Sequence, residues 1–183
     1  MRFSREFYAR PARDVAIELL GARLVRRLGP RRRAVGRVVE VEAYVGPHDL
    51  ACHASHGRTA RTEVMFGPPG RAYVYFVYGM HHCLNVVTDP EGYPAAVLIR
   101  ALEPLVGIEA ATSGPGRLCR ALGIDRSLNG ADLRGDELFL EAGDRPVRVR
   151  ATPRIGVDYA GRWARRRLRF FDPDSRHVSG GRR

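Results

Sequence analysis

The sequence contains no lysine. All of its 31 basic residues are therefore arginine, and they outnumber the 20 acidic residues, which gives a formal net charge of +11. Without a lysine amine, the chain has no side chain that can form a Schiff base with a sugar aldehyde or another carbonyl compound. The excess of positive charge indicates a polyanionic partner such as DNA, RNA or an anionic membrane surface.

Cysteines and long apolar segments are also scarce. The three cysteines are an odd number without a paired framework, so we expect reduced thiols in an intracellular protein. The N-terminal region carries acidic residues early and has no apolar core of signal-peptide length. Since no apolar run approaches the length of a transmembrane helix, we expect a soluble cytoplasmic protein with no membrane partner.

Hydrophobic patterns divide the 183 residues into short strands and a few helices, with no internal repeat and no linker. Together they predict one α+β domain over residues 1–183, with a flexible arm over residues 1–10 and a flexible tail over residues 179–183. Helical patterns cover residues 14–20 and a region within residues 108–130, and extended patterns cover residues 23–27, 34–46, 94–104, 136–140, 147–151 and 154–159.

Residues 71–88 predict a β-hairpin, because two runs of β-branched and aromatic residues flank Gly79. Tyr78 then lies at the corner, where a large aromatic side chain exposes apolar area unless something stacks on it. In a very basic protein that partner can be a nucleic-acid base. The alternative is a tyrosine that folds back onto the core of its own hairpin.

Glu42 and Arg100 are the first candidates for chemistry. Alternation within residues 34–46 places Val38, Glu40, Glu42 and Tyr44 on one face of a strand, and Arg100 is a lone charge in an apolar segment. If the two strands are neighbours, Glu42 and Arg100 can form a buried ion pair that only specifies the fold. They can equally form a carboxylate that activates water and an arginine that keeps it ionised. Glu40 competes for the role of the carboxylate.

Histidines and cysteines form two small clusters, but their spacing fits neither a zinc finger nor a helical metalloprotease motif, so we expect no metal site. The clusters contain Cys52, His53, His56, His81, His82 and Cys83. A metal-dependent nuclease remains an alternative, with Glu40, Glu42, Asp49 and His53 as ligands for Mg²⁺ or Mn²⁺. A second alternative is a non-catalytic nucleic-acid-binding module that uses only its charge and its tyrosines.

Five blocks of sequence, in order and across nearly the whole chain, resemble the alkyladenine DNA glycosylase family, the 3-methyladenine DNA glycosylases without a helix-hairpin-helix motif. The blocks are residues 39–47 (VEVEAYVGP), 65–85 (MFGPPG, then YVYFVYGMHHCLN), 97–104 (VLIRALEP), 113–119 (SGPGRLC) and 154–164 (RIG, then AG and WA). The resemblance implies a single α+β domain with a curved, mostly antiparallel sheet, peripheral helices and a protruding β-hairpin that inserts into DNA.

Position by position, the resemblance assigns three residues to catalysis. Glu42 corresponds to the carboxylate that deprotonates the attacking water. Arg100 corresponds to the arginine that helps to hold this water, and Ile155 to the position whose main-chain carbonyl also holds it. No cofactor and no metal are implied.

Five further positions are assigned to the DNA. Tyr44, His53 and Tyr75 correspond to residues that stack on or contact the flipped base. Asn85 corresponds to the residue that screens against the exocyclic amine of normal guanine, and Tyr78 to the side chain that fills the gap in the duplex.

The implied activity is removal of alkylated or deaminated purines from double-stranded DNA during base-excision repair. Candidate substrates are 3-methyladenine, 7-methylguanine, hypoxanthine and ethenoadenine. Because the chain lacks lysine, an imine-based strand cleavage is not expected, and we predict a monofunctional enzyme that leaves an abasic site. We further expect a monomer without an obligate protein partner in the cytoplasm or nucleoid.

Overall fold

The computed structural model describes residues 1–77 and 79–180. Within them the strands are β1 (Arg23–Arg27), β2 (Arg33–Tyr44), β3 (Ala72–Val77), β4 (His81–Thr88), β5 (Ala95–Val106), β6 (Leu138–Glu141), β7 (Arg150–Thr152) and β8 (Arg169–Phe171). The α-helices are α1 (Arg5–Tyr8), α2 (Ala12–Leu19) and α3 (Pro115–Leu122). Short 3₁₀ helices cover His53–His56, Glu63–Phe66, Arg126–Leu128 and Asp158–Arg165. None of the described helices is long and apolar enough to cross a membrane.

The strands form one curled, antiparallel half-barrel sheet in the order β3-β4-β5-β2-β1-β6, and β8 joins β2 and β7. β2 and β5 are the long central pair, because both are apolar enough to be buried along most of their length. The helices pack on the sheet, with α2 against β2 and α3 against β4. The prediction of a single α+β domain with a curved antiparallel sheet is confirmed.

The alternation predicted for β2 is interrupted by a β-bulge. The pairing register with β5 shifts between Val38 and Glu40 and again between Glu40 and Val41. As a result Val38 packs in the main core together with Val41 and Ala43, rather than sharing the face of Glu40 as predicted. A bulge inserts one residue into a strand and reverses the faces beyond it, which a strict period of two cannot anticipate.

The predicted flexible arm at residues 1–10 is instead packed against the domain. Ser4 caps α1 by accepting a hydrogen bond from the Phe7 amide, and Tyr8 is fully buried. Phe3 stacks on Phe7 with their ring centroids 4.0 Å apart. Three aromatic rings within six residues bury enough apolar surface to order the segment.

The predicted tail also needs correction, because Ser179 is buried and hydrogen-bonded; residues 181–183 lie outside the described part of the chain. The predicted helical region contracts to α3, whose proline lies at the start of the helix and whose Gly123 closes it with φ +61°. Residues 154–159 were predicted to be extended but form a turn that runs into the 3₁₀ helix Asp158–Arg165.

Candidate active site

A pocket of about 300 Å³ opens on one face of the strands β3, β4, β5 and β2. The register places Tyr73, Asn85, Leu98 and Glu42 side by side across the four strands. Because side chains two residues apart share a face of a strand, the next positions along the strands point the same way. The pocket is thus lined by six of the predicted site residues, Tyr44, His53, Tyr75, Asn85, Arg100 and Ile155.

Glu42 lies directly behind this lining, with none of its surface exposed. Its Oε1 accepts a hydrogen bond from the Ile155 amide at 2.8 Å and lies 3.3 Å from Arg100 Nη1. Its Oε2 accepts a hydrogen bond from the Tyr44 hydroxyl at 2.9 Å. Each of these three partners lines the pocket, so the carboxylate is held at the wall by groups that a bound molecule can reach.

Glu40, the competing carboxylate, is also fully buried but has a different set of partners. Its Oε1 accepts hydrogen bonds from Arg100 Nε at 3.0 Å and from Arg169 Nε at 2.7 Å. Oε1 also accepts a hydrogen bond from the Ser179 hydroxyl at 3.0 Å, and Oε2 accepts one from the Ser179 amide at 2.6 Å. A carboxylate has about four acceptor sites, so Glu40 is saturated by protein donors. The geometry therefore favours Glu42 as the carboxylate that can interact with water.

Arg100 joins the two carboxylates and is itself only 8% exposed. Burial alone lowers the pKa of Arg100, but the negative charges of Glu42 and Glu40 outweigh it and raise the pKa. The predicted contact between Glu42 and Arg100 is present because β2 and β5 are neighbours.

Tyr44 is supported from behind by a pair that the sequence did not reveal. Arg154 and Asp49 form a two-pronged ion pair with both side chains fully buried, and one of its hydrogen bonds measures 2.8 Å. The Arg154 guanidinium lies 4.7 Å from the centre of the Tyr44 ring. The Asp49 carboxylate also accepts hydrogen bonds from the amides of Val45 and Ala51, so it fixes the loop that follows β2.

His53 also lines the pocket and is held by Tyr73, another residue that the sequence analysis did not select. His53 Nδ1 and the Tyr73 hydroxyl are 2.9 Å apart. Burial, with a further contribution from the charge of Arg61, lowers the pKa of His53 to about 4, so the ring is neutral at pH 7. Burial raises the pKa of Tyr73 to about 12, so its hydroxyl keeps its proton.

Tyr75, Arg61 and Asn85 form the part of the pocket lining that lies near His53 and Tyr73. Tyr75 lies with its ring centroid 4.5 Å from that of His53, and the Arg61 guanidinium is 5.2 Å from the Tyr75 ring. Asn85 is buried and donates a hydrogen bond from its Nδ2 to the main-chain carbonyl of Tyr73 at 3.1 Å. The alternation of tyrosines on β3 could have indicated Tyr73, since it shares a face with Tyr75.

The model of the methylpurine-DNA glycosylase family matches residues 6–176 of the chain. The chain belongs to this family. Proteins carrying the name "Putative 3-methyladenine DNA glycosylase" are 59% identical in Myxococcus xanthus, 53% identical in Methanocella arvoryzae and 50% identical in Legionella pneumophila (strain Corby). These matches cover 96 to 97% of this chain and 92 to 98% of the relatives.

Membership of the methylpurine-DNA glycosylase family makes DNA the substrate and places the protein among the DNA-repair glycosylases that act on alkylation damage. It confirms the resemblance seen in the five sequence blocks. The roles of the individual site residues remain predictions.

The alternative of a metal-dependent nuclease is not supported, because two of its proposed metal ligands are already bound by protein donors. Glu40 is bound by two arginines, and Asp49 is bound by Arg154 and two amides. Within residues 1–77 and 79–180, no group of three or more acidic, histidine or cysteine side chains is arranged to hold a metal ion.

The β3–β4 hairpin lies next to the pocket and ends in an exposed turn. Phe76 is 42% exposed and Met80 is 70% exposed. Tyr78, the predicted DNA-inserting residue, lies outside the described residues, so its role stays a prediction.

Proposed function

We propose that this protein is a monofunctional DNA glycosylase that flips an alkylated purine into the pocket and hydrolyses its N-glycosidic bond with a water activated by Glu42. The observation that supports this most directly is the placement of one buried carboxylate, held by Arg100 and the Ile155 amide, at the wall of a pocket whose lining includes four tyrosines. The proposed substrates are 3-methyladenine and 7-methylguanine, with hypoxanthine and ethenoadenine as further candidates.

The proposed reaction needs one base and no external cofactor. Water attacks the anomeric carbon of the sugar while the bond to the purine breaks, and the purine leaves with the electron pair. Glu42 takes a proton from the water, and its negative charge stabilises the cationic sugar of the transition state. A purine alkylated at N3 or N7 leaves as a neutral base, so its bond is the easiest to break.

Access of water to Glu42 requires a rearrangement, since the carboxylate has no exposed surface. The Tyr44 hydroxyl is the group that has to move, because it is the neutral donor on Oε2. Arg100 and Ile155 would keep Oε1 in place during this exchange. Catalytic hydrogen bonds often reach their final geometry only in the substrate complex.

The aromatic rings explain why an alkylated purine would be favoured. Tyr44 and Tyr75 line the pocket, and an alkylated purine carries positive charge that is attracted to the face of such rings. In the arrangement we propose, Nδ1 of neutral His53 accepts a hydrogen bond from the Tyr73 hydroxyl, which leaves Nε2–H as a donor to the base. Asn85 borders the same space and would screen against the amine of guanine.

Base flipping is proposed because a glycosidic bond inside a duplex is out of reach. Extrusion costs a few kcal/mol of unstacking, and least for a damaged base. Tyr78, the residue that follows β3 in the sequence, would fill the vacated space. The arginines would contact phosphates without reading sequence, which suits an enzyme that searches for rare lesions.

The test uses an end-labelled duplex with a single hypoxanthine and, separately, DNA methylated at adenine N3. Each is incubated with the protein in chelator, then treated with hot alkali to cut at abasic sites. We expect cleavage at the lesion with wild type and with Glu137→Gln, an exposed carboxylate on the same domain. We expect none with Glu42→Gln, which should still bind the duplex.

Other outcomes would contradict parts of the proposal. Cleavage without alkali would refute the monofunctional reaction, and loss of activity in chelator would favour a nuclease. Binding without release of either base by wild type would favour the binding module.

A further inference from the structure

The segment Val178–Gly180 packs against the ion network behind the site and is not part of the pocket lining. Val178 and Ser179 are buried, at 9% and 6% exposure. The family match ends at residue 176, before this segment begins. Composition alone predicts a mobile serine–glycine tail, so its burial requires specific partners.

Ser179 uses every polar group it has within the ion network. Its amide donates to Glu40 Oε2 at 2.6 Å, and its hydroxyl donates to Glu40 Oε1 at 3.0 Å. Its hydroxyl oxygen accepts from Arg100 Nη2 at 3.3 Å, and its carbonyl accepts from Arg169 Nη2 at 2.9 Å. One residue thus ties together a carboxylate and two guanidinium groups.

The consequence for Arg100 follows from the planar shape of its side chain. Nε is fixed by Glu40 at 3.0 Å and Nη2 by Ser179 at 3.3 Å. A guanidinium is rigid and presents its donors in a fixed fork, so two anchored nitrogens set the direction of the third. Nη1 is the nitrogen that faces Glu42, at 3.3 Å.

Gly180 lies beside Ile155, the other support of Glu42. A Cβ built on Gly180 would lie 3.1 Å from Ile155 Cδ1, and the residue has φ +65°, which favours glycine. Ile155 holds Glu42 through its amide at 2.8 Å. Ser179 therefore bonds one of the two residues that fix Oε1 of the carboxylate, and Gly180 lies beside the other.

We propose that Val178–Gly180 is a positioning segment for catalysis, which holds Arg100 through Ser179 and Ile155 through Gly180 in the arrangement that aims Glu42. This inference rests on the proposed function. The segment touches neither the base nor the water, so its loss should affect the chemical step and leave binding of DNA nearly unchanged.

The main test compares Ser179→Ala with Ser175→Ala. Ser175 is equally buried, and its hydroxyl accepts the amide of His177 and touches neither Glu40 nor Arg100. Release of 3-methyladenine is measured in single turnover at saturating enzyme, and binding by fluorescence anisotropy with a lesion duplex. We expect Ser179→Ala to slow base release about tenfold with the same Kd, because small misplacement of catalytic groups costs up to about hundredfold. Ser175→Ala should match wild type.

A second pair of variants tests the whole segment, because Ser179→Ala leaves the main-chain hydrogen bonds of Ser179 to Glu40 and Arg169 in place. A chain that ends after Gly180 should match wild type, whereas one that ends after His177 should release the base about a hundredfold more slowly. A thermal unfolding midpoint above the assay temperature shows that each shortened chain is folded under the conditions of the assay.

Two results would overturn the inference. One is an equal rate for Ser179→Ala and Ser175→Ala together with an equal rate for the two shortened chains. The other is a loss of DNA binding that matches the loss of rate, which indicates general loosening. Failure of the proposed function is distinguishable, because wild type itself would then release no base.

Discussion

The ion pair of Asp49 and Arg154 offers a sharp test of how the pocket wall is built. Both side chains are fully buried, and Asp49 also accepts two main-chain amides. Asp49→Asn keeps the shape of the side chain but removes its charge. The Arg154 guanidinium would then be a buried charge without its counter-ion, a situation that typically costs about 3–5 kcal/mol.

This cost is a large part of the stability of a domain, which is about 5–15 kcal/mol. At about 2–4 °C per kcal/mol for a chain of this size, the melting temperature should fall by about 6–20 °C. The matched control is Asp136→Asn, which removes a short ion pair with Arg2, at 2.7 Å, on the surface. Exposed pairs contribute little, so the control should melt close to wild type.

Calorimetry of the two variants decides the matter. If Asp49→Asn and Asp136→Asn lower the melting temperature by the same amount, the buried pair has no special role and the reasoning fails. If only Asp49→Asn melts early, a second measurement follows on binding of a lesion duplex. Affinity should drop as well, because Arg154 supports the ring of Tyr44 at 4.7 Å.

Two further predictions concern His53. Its pKa is lowered to about 4 from the ordinary 6.5, so its contribution to stability is complete above pH 6.5 and is lost as the pH falls to 4. The loss should approach about 3 kcal/mol in urea titrations of wild type, and His53→Asn should flatten the profile between these pH values. Removing the charge of Arg61 with Arg61→Gln should raise the pKa of His53 in an NMR titration, whereas Arg58→Gln should not; an unchanged value in Arg61→Gln would contradict the electrostatic explanation.

Local patterns were sufficient to predict the frame of the site. Alternation within β2 depends on nearest neighbours, and it predicted that Glu42 and Tyr44 share a face, in agreement with the hydrogen bond between them. Tyr75 and Asn85 were assigned to the pocket from the family resemblance. Arg100 was conspicuous because a charge in an apolar strand needs a partner. The resemblance added Ile155, which no periodicity marks.

Long-range partners could not be predicted in this way. Ser179 meets Glu40 across 139 positions of sequence, and Arg154 meets Asp49 across 105. A serine followed by two glycines has the composition of a disordered tail, and only the buried carboxylate explains why it is ordered. The bulge near Val38 was likewise invisible, because it depends on the register with β5.

The choice between Glu40 and Glu42 shows how the fold assigns chemistry to two similar residues. They lie two positions apart on one strand, and both are fully buried beside Arg100. Glu40 is filled by charged and main-chain donors, whereas Oε2 of Glu42 is covered by a neutral hydroxyl of a residue that lines the pocket. A hydroxyl can exchange places with water at small cost, but a guanidinium in a buried ion pair cannot. Glu40 therefore serves as the anchor that orients Arg100, and Glu42 is the carboxylate that we propose accepts the proton.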